Sequence, residues 1–125
     1  MSQTVELPAL RSRLEEYGSS AFLTTVSDAQ APHITSVTVR MDGDRLVFGA
    51  GRKSRANLAA RPTVALLWPA PPGADYSLIV DGTYDGPVGD DEEGGDVALV
   101  PFAAILHRIA GAPGDGAMCL PVTDP

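Results

Sequence analysis

Four of the nine basic residues in this 125-residue chain, Arg52, Lys53, Arg55 and Arg61, fall between positions 52 and 61, and Lys53 is the only lysine. They lie within RLVFGAGRKSRANLAARPTVALLW, which begins at Arg45 and ends at Trp68. There a strand-like run, Leu46 to Ala50, meets a glycine turn. A short helix is expected from Ser54 to Arg61, where Pro62 stops it, and a second strand runs from Thr63 to Trp68. Cations are favoured at a helix C-terminus and disfavoured at its N-terminus, by about 0.3–1 kcal/mol each. Lys53 and Arg55 therefore sit at the wrong end for stability alone. An anion such as a phosphate, held by the exposed N–H groups of the first turn, would reverse that penalty. The plainer alternative is a solvated basic turn.

Other candidate chemistries are weaker. His33 and His107 are far apart and lack partners at helical spacing, so no metal site is expected from them. The acidic residues Asp90, Asp91, Glu92, Glu93 and Asp96 are bracketed by glycines but do not follow the alternating oxygen spacing of a calcium loop; a solvated loop is expected. The single cysteine, Cys119, cannot form an intrachain disulfide, which fits a reducing compartment. Gly49-Ala50-Gly51 lacks the third glycine of a dinucleotide-binding turn, since Ser54 stands in its place, and it also lacks the Gly-Lys-Ser/Thr ending of a P-loop. A net charge of −7 argues against general nucleic-acid binding. No apolar run approaches transmembrane length, and MSQTVELPALRSRLEE has no signal-peptide core. A cytoplasmic protein with no membrane partner is expected.

The elements that must position the basic turn form a mainly β pattern in one domain, residues 1–125. Leu7, Leu10, Leu14 and Tyr17 follow helical spacing, with Pro8 near the start and Gly18 as the stop. A first strand spans Ser20 to Ser27, Asp28 to Ala31 turns the chain, and Pro32 to Met41 is a long second strand. On that strand Val37, Val39 and Met41 point one way, and Ser36, Thr38 and Arg40 the other. Asp42-Gly43 signals a hairpin into the third strand. After the short helix comes a nearly continuous apolar fourth strand, Thr63 to Trp68. A rigid loop, Pro69 to Ala74, leads to a fifth strand, Tyr76 to Asp85, with Gly82 as a bulge or close-approach point. Val97 to Arg108 is read as a strand, or a strand followed by a turn of helix, with Pro101 requiring an edge or bulge position. Residues 112–125 are expected to be an irregular tail. About six short antiparallel strands, an N-terminal helix and one helix between the third and fourth strands imply a small split barrel rather than a parallel α/β sheet.

These features together resemble the pyridoxamine 5′-phosphate oxidase-like FMN-binding split barrels. The resemblance rests on the N-terminal helix, the Asp42-Gly43 hairpin, the basic turn with Asn57-Leu58 and Arg61-Pro62, the Asp81-Gly82 turn and the Leu106-His107-Arg108 end. It covers roughly Leu7 to Arg108. It implies a homodimer with two cofactor sites between the chains, and a phosphate of FMN, or of a related deazaflavin, at the turn before the middle helix. By position, Arg52, Lys53, Ser54, Arg55 and Asn57 fall on the phosphate segment. Thr38, Val39 and Arg40 fall on the strand along which the flavin ring lies, and Phe48, Gly49 and Ala50 on the strand end that approaches the cofactor. Family members commonly show Ser-x-Lys-x-x-Asn-Leu here. In this chain Arg52 stands at the serine position and Ser54 at the lysine position. A helix turns about 100° per residue, so Lys53 or Arg55 does not replace that lysine in geometry.

Three functions follow as expectations. One is an FMN-dependent oxidoreductase acting on a small organic substrate. The second is a deazaflavin-dependent reductase whose acidic cofactor tail tracks Arg52, Lys53, Arg55 and Arg61. The third is a cofactor-free binding or structural dimer. Tyr76, Tyr84 and His107 are proton donors by type only. Trp68 is open to stacking on a ring, sealing the dimer or packing in the core. The fourth-to-fifth-strand region, Trp68 included, is expected at or near the dimer interface. Oxidation of pyridoxamine 5′-phosphate itself is disfavoured, because no arginine follows Arg108.

Overall fold

Side-chain alternation builds the barrel. In the computed structural model, which describes residues 2–89 and 95–110, Val37 and Val39 point into the core while Ser36, Thr38 and Arg40 point out. Seven strands and two helices follow in order: β1 (Ser2–Thr4), a 3₁₀ turn (Leu7–Ala9), α1 (Leu10–Tyr17), β2 (Ser20–Val26), β3 (Pro32–Asp42), β4 (Arg45–Gly49), α2 (Arg52–Ala60), β5 (Thr63–Trp68), β6 (Tyr76–Pro87) and β7 (Asp96–Arg108). Every pairing is antiparallel, and the sheet order is β1-β7-β4-β3-β2-β5-β6. A further β6–β7 pairing closes six of the strands into a barrel and leaves β1 as an extra strand on β7. Closure removes the unpaired edges that an open sheet of this size would present. The acidic positions 90–93, the tail from 112 and Cys119 lie outside the described residues.

The core is a single cluster that includes Leu10, Leu23, Phe48, Leu58, Leu66, Trp68, Leu78, Val80 and Leu99. Trp68 is completely buried, and its indole Nε1–H donates to the carbonyl of Gly18 at 3.0 Å. It is therefore a core residue tying β5 to the end of α1, and it is not available to stack on a ligand or to seal a dimer. The helical stripe behaves largely as the spacing predicts. Leu10 is fully buried, and Leu14 and Tyr17 pack against the cluster. Leu7 departs from it: it opens the 3₁₀ turn that precedes α1 and is exposed. Gly18 ends α1 with φ of 86°, a conformation that suits glycine, and its N–H donates to Leu14. Tyr17 donates its hydroxyl to the carbonyl of Tyr76 at 2.8 Å. Burial is the main reason its pKa is raised; Arg13 lowers it and Glu16 raises it by smaller amounts.

Turns and irregularities match their residues. Asp42 pairs with Arg45, so Gly43 and Asp44 form a two-residue loop. Positive φ at Gly43 alone fits a type II′ turn. Gly82 sits where a Cβ would lie 3.2 Å from the Val100 carbonyl oxygen and 3.3 Å from the Leu99 Cβ. Across from it, the register passes from Ala103 to Pro101 and skips Phe102. Pro101 thus stands at a bulge, between the stretch of β7 paired with β4 and the stretch paired with β1. That answers the ambiguous segment: Asp96–Arg108 is strand throughout.

Three details differ from the sequence expectation. Helix α2 starts at Arg52 rather than Ser54, because Gly51, with φ −75° and ψ 177°, is the extended residue that precedes it. Strand β6 continues past Asp85 to Pro87. Strand β1 was not expected, since three exposed residues carry no periodic signal. No helix among the described residues is long and apolar enough to cross a membrane.

Candidate functional site

The site is assembled where β4 hands over to α2. Strand β4 delivers a completely buried Phe48, then Gly49, Ala50 and Gly51, and the helix begins at Arg52. No side chain caps this helix, and no acidic residue lies in its first turn. The Arg55 N–H donates to the Gly51 carbonyl at 2.9 Å, the start of the helical ladder. The N–H groups of Arg52, Lys53 and Ser54 precede that bond and have no acceptor within the helix. Arg52 and Lys53 are exposed beside them. Among the described residues, neither takes part in a salt bridge. Three N–H groups without helical acceptors, the positive end of the helix dipole and two cations together attract an anion.

The neighbouring strand borders this turn. Val39 pairs with Phe48, which sets Thr38 beside Gly49. Thr38 faces out and lines an open cleft of about 350 Å³ with Ser20, Phe22, Ser36 and Pro69. Val39 is buried on the inner face, so its side chain belongs to the core. Arg40 faces out and is held by Asp96, Nη1 to Oδ2 at 3.0 Å. A Cβ on Gly49 would meet Asp96 Oδ1 at 3.6 Å, an ordinary contact, which places that carboxylate beside the turn. A smaller groove of about 200 Å³, lined by Arg11, Leu14, Glu15, Arg40 and Met41 among others, runs between α1 and β3.

The sequence-predicted residues therefore divide. Gly49, Ala50, Arg52 and Lys53 come together at the turn, with Thr38 and Arg40 on the adjacent strand. Ser54 and Asn57 are 3% and 6% exposed and face the barrel with Leu58. Arg55 is half-buried. Asn57 donates from Nδ2 to Thr25 Oγ1 at 3.0 Å, so it anchors the helix from below. Thr25, 1% exposed, was not a sequence candidate. A lone threonine in a β-rich run gives no signal beyond strand propensity. Arg61 lies at the other end of α2, where its Nη1 meets Asp28 Oδ1 at 3.0 Å.

The suggested proton donors lie elsewhere. His107 and Tyr76 are at the end of β7 and the start of β6, where His107 pairs with Ser77 and Ser2, and Tyr76 with Arg108. The Arg108 guanidinium carbon is 5.8 Å from the centre of the Tyr76 ring. That end of β7 is opposite Asp96, which pairs with Gly49. Tyr84 packs against the core.

With this geometry in place, likeness to known proteins becomes informative. No family model matches the chain. Uncharacterized proteins of Mycobacterium bovis and Mycobacterium tuberculosis are each 36% identical over 120 residues, covering 87% of this chain and 84% of theirs. A Listeria innocua protein named for pyridoxamine 5′-phosphate oxidase superposes with a TM-score of 0.63 at 19% identity, over 81% of this chain and 98% of its own. An FMN-binding protein from Syntrophomonas wolfei gives 0.66 at 13%, over 82% and 86%. The chain belongs to one family with the mycobacterial proteins, and its fold is the pyridoxamine 5′-phosphate oxidase-like split barrel. The same fold carries other cofactors. An F420 reductase superposes at 0.58 with 21% identity, over 69% of this chain and 88% of its own. A heme-binding protein from Mycobacterium smegmatis superposes at 0.64 with 14% identity, over 80% and 53%. Fold alone therefore does not name the ligand.

Proposed function

We propose that this protein binds FMN with its phosphate at the start of α2 and works as a flavin-dependent oxidoreductase on a small organic substrate. The observation that carries the reading is the uncapped helix start, with three N–H groups lacking helical acceptors beside exposed Arg52 and Lys53. These groups suit a phosphate in charge and in hydrogen-bonding type. The backbone of Arg52, Lys53 and Ser54 would hold it, with the two cationic side chains outside. Gly49 and Thr38 would border the ring, and the cleft of Ser20, Phe22, Ser36 and Thr38 offers both hydroxyls and an aromatic face. A bound flavin supplies hydride transfer; the protein supplies position and electrostatics.

The reading includes a homodimer. On the outer face, Phe22, Leu67, Ile79 and Ile105 stand opposite one another in successive strand pairs. Ile34 pairs with Thr24, two residue pairs along from Phe22, and is 63% exposed. Such a row of apolar side chains supports burial against a second copy, which would complete the open side of the cleft. Sedimentation should give a dimer at micromolar concentration; a monomer there would remove this part of the reading.

A second reading is a deazaflavin with an acidic tail. It is favoured by the spread of cations on α2, with Arg52 and Lys53 exposed at its start and Arg61 at its far end. Titrating the purified protein with FMN and with the deazaflavin, by quenching of cofactor fluorescence, tests both. Tighter binding of FMN supports the first, tighter binding of the deazaflavin the second. Binding of neither leaves a cofactor-free dimer, the outcome that a serine at position 54 in place of the family lysine would produce.

A further inference from the structure

The buried polar residues described are Thr25, Ser54 and Asn57. Two of them form one hydrogen bond, and Ser54 lies one helical turn before Asn57 on the same face of α2. Burying such groups is costly unless they are bonded, and an apolar pair of the same shape would hold the helix at least as firmly. What the polar pair adds is direction. A hydrogen bond weakens steeply as its angle bends, so the pair adds an angular constraint to the packing of the fully buried Leu58. The first-turn N–H groups and the Arg52 and Lys53 side chains lie on the same short rigid helix. Its azimuth at Asn57 is therefore its azimuth at the anion site, and one residue of slip would turn that site by about 100°. The exposed Arg61–Asp28 pair cannot set this, because pairs of that kind contribute little.

We propose that Thr25 and Asn57 are positioning residues for the phosphate site, acting through the orientation of α2 and not by touching the ligand. The inference rests on the FMN reading above. Its test compares FMN with riboflavin, the same ring without phosphate, by fluorescence quenching in the full-length protein. Wild type should prefer FMN. Thr25→Val, and the double variant Thr25→Val with Asn57→Leu, should lose about tenfold or more of that preference while riboflavin affinity stays within about twofold. Thr25→Ser keeps the hydroxyl and should keep the preference. The double variant should melt at or above the wild-type temperature, which separates orientation from stability.

An unchanged FMN-to-riboflavin ratio in folded Thr25→Val and in the double variant would overturn the inference and leave the FMN reading standing. Failure of the double variant to fold would also overturn it, since the pair would then be a requirement of the fold itself. A wild type with no preference for FMN over riboflavin would instead defeat the underlying FMN reading, and the inference with it.

Discussion

Helix α2 has two sides that follow different rules. The side facing the barrel carries Ser54, Asn57 and Leu58, all buried, with one directional hydrogen bond and a fully enclosed leucine. The open side carries Arg52 and Lys53 on an uncapped first turn. A helix optimised only for stability would place acids in the first turn and an Asp or Ser at the cap, although the cap residue gains only about a few tenths of a kcal/mol over glycine. Here the cap position is Gly51 and the first turn is basic. The covered side is therefore arranged for the fold and the open side against it. Departures of that kind concentrate where a protein meets a ligand.

The largest break in this contrast should come from the covered side. Leu58→Ala removes a completely buried side chain from the core cluster, and should cost about 2–5 kcal/mol in urea unfolding. Cofactor binding should weaken only as far as the folded fraction falls. The open side should behave in the opposite way. Replacing Arg52 and Lys53 together by alanine should weaken FMN binding at least about tenfold, which is about 1.4 kcal/mol. The same change should leave the apo melting temperature level or slightly raised, since it removes two cations from a helix N-terminus. Equal FMN affinity in this variant and wild type would place the phosphate elsewhere.

The apolar row on the outer wall of the barrel offers a smaller test of the same division. Ile34→Asp changes an exposed residue, so monomer stability should move by no more than about 0.5 kcal/mol. Sedimentation should nevertheless shift toward the monomer. A dimer that survives the substitution unchanged would show that the second copy sits on another face.

Much of the fold was legible because it is written in periodic signals. Val37 and Val39 against Ser36, Thr38 and Arg40 define the faces of β3, Gly43 marks the hairpin, and Pro101 with Gly82 marks the bulge. Three exposed residues at Ser2–Thr4 have no such signal, and β1 was invisible. The candidate site was legible in its composition but not in its orientation. Arg52, Lys53, Ser54, Arg55 and Asn57 look alike as a polar string. Which of them faces outward depends on the azimuth of α2, where Ser54, Asn57 and Leu58 face the barrel and Asn57 bonds Thr25, a strand residue 32 positions away. Trp68 shows the same limit. Its residue type fits stacking, an interface or a core, and only the barrel around it decides.

The smallest expected effect belongs to Arg61, and it bears on which cofactor fits. Sequence spacing grouped Arg61 with the other cations of the segment. The structure puts it at the far end of α2, paired with the carboxylate of Asp28, whose side chain is 93% exposed. A helix of nine residues is about 13 Å long, so a phosphate bound at its start lies beyond hydrogen-bonding reach of the other end. Exposed pairs contribute about 0–1 kcal/mol, and Arg61→Ala should change stability by no more than that. If FMN is the ligand, its dissociation constant should stay within about twofold. A deazaflavin with an acidic tail makes the opposite demand, because a chain of carboxylates running along α2 would meet the Arg61 guanidinium. Arg61→Ala is thus nearly silent for a compact phosphate and costly for an extended anion. Measuring both cofactors on this one variant asks whether the open side of α2 is used over its first turn or along its whole length.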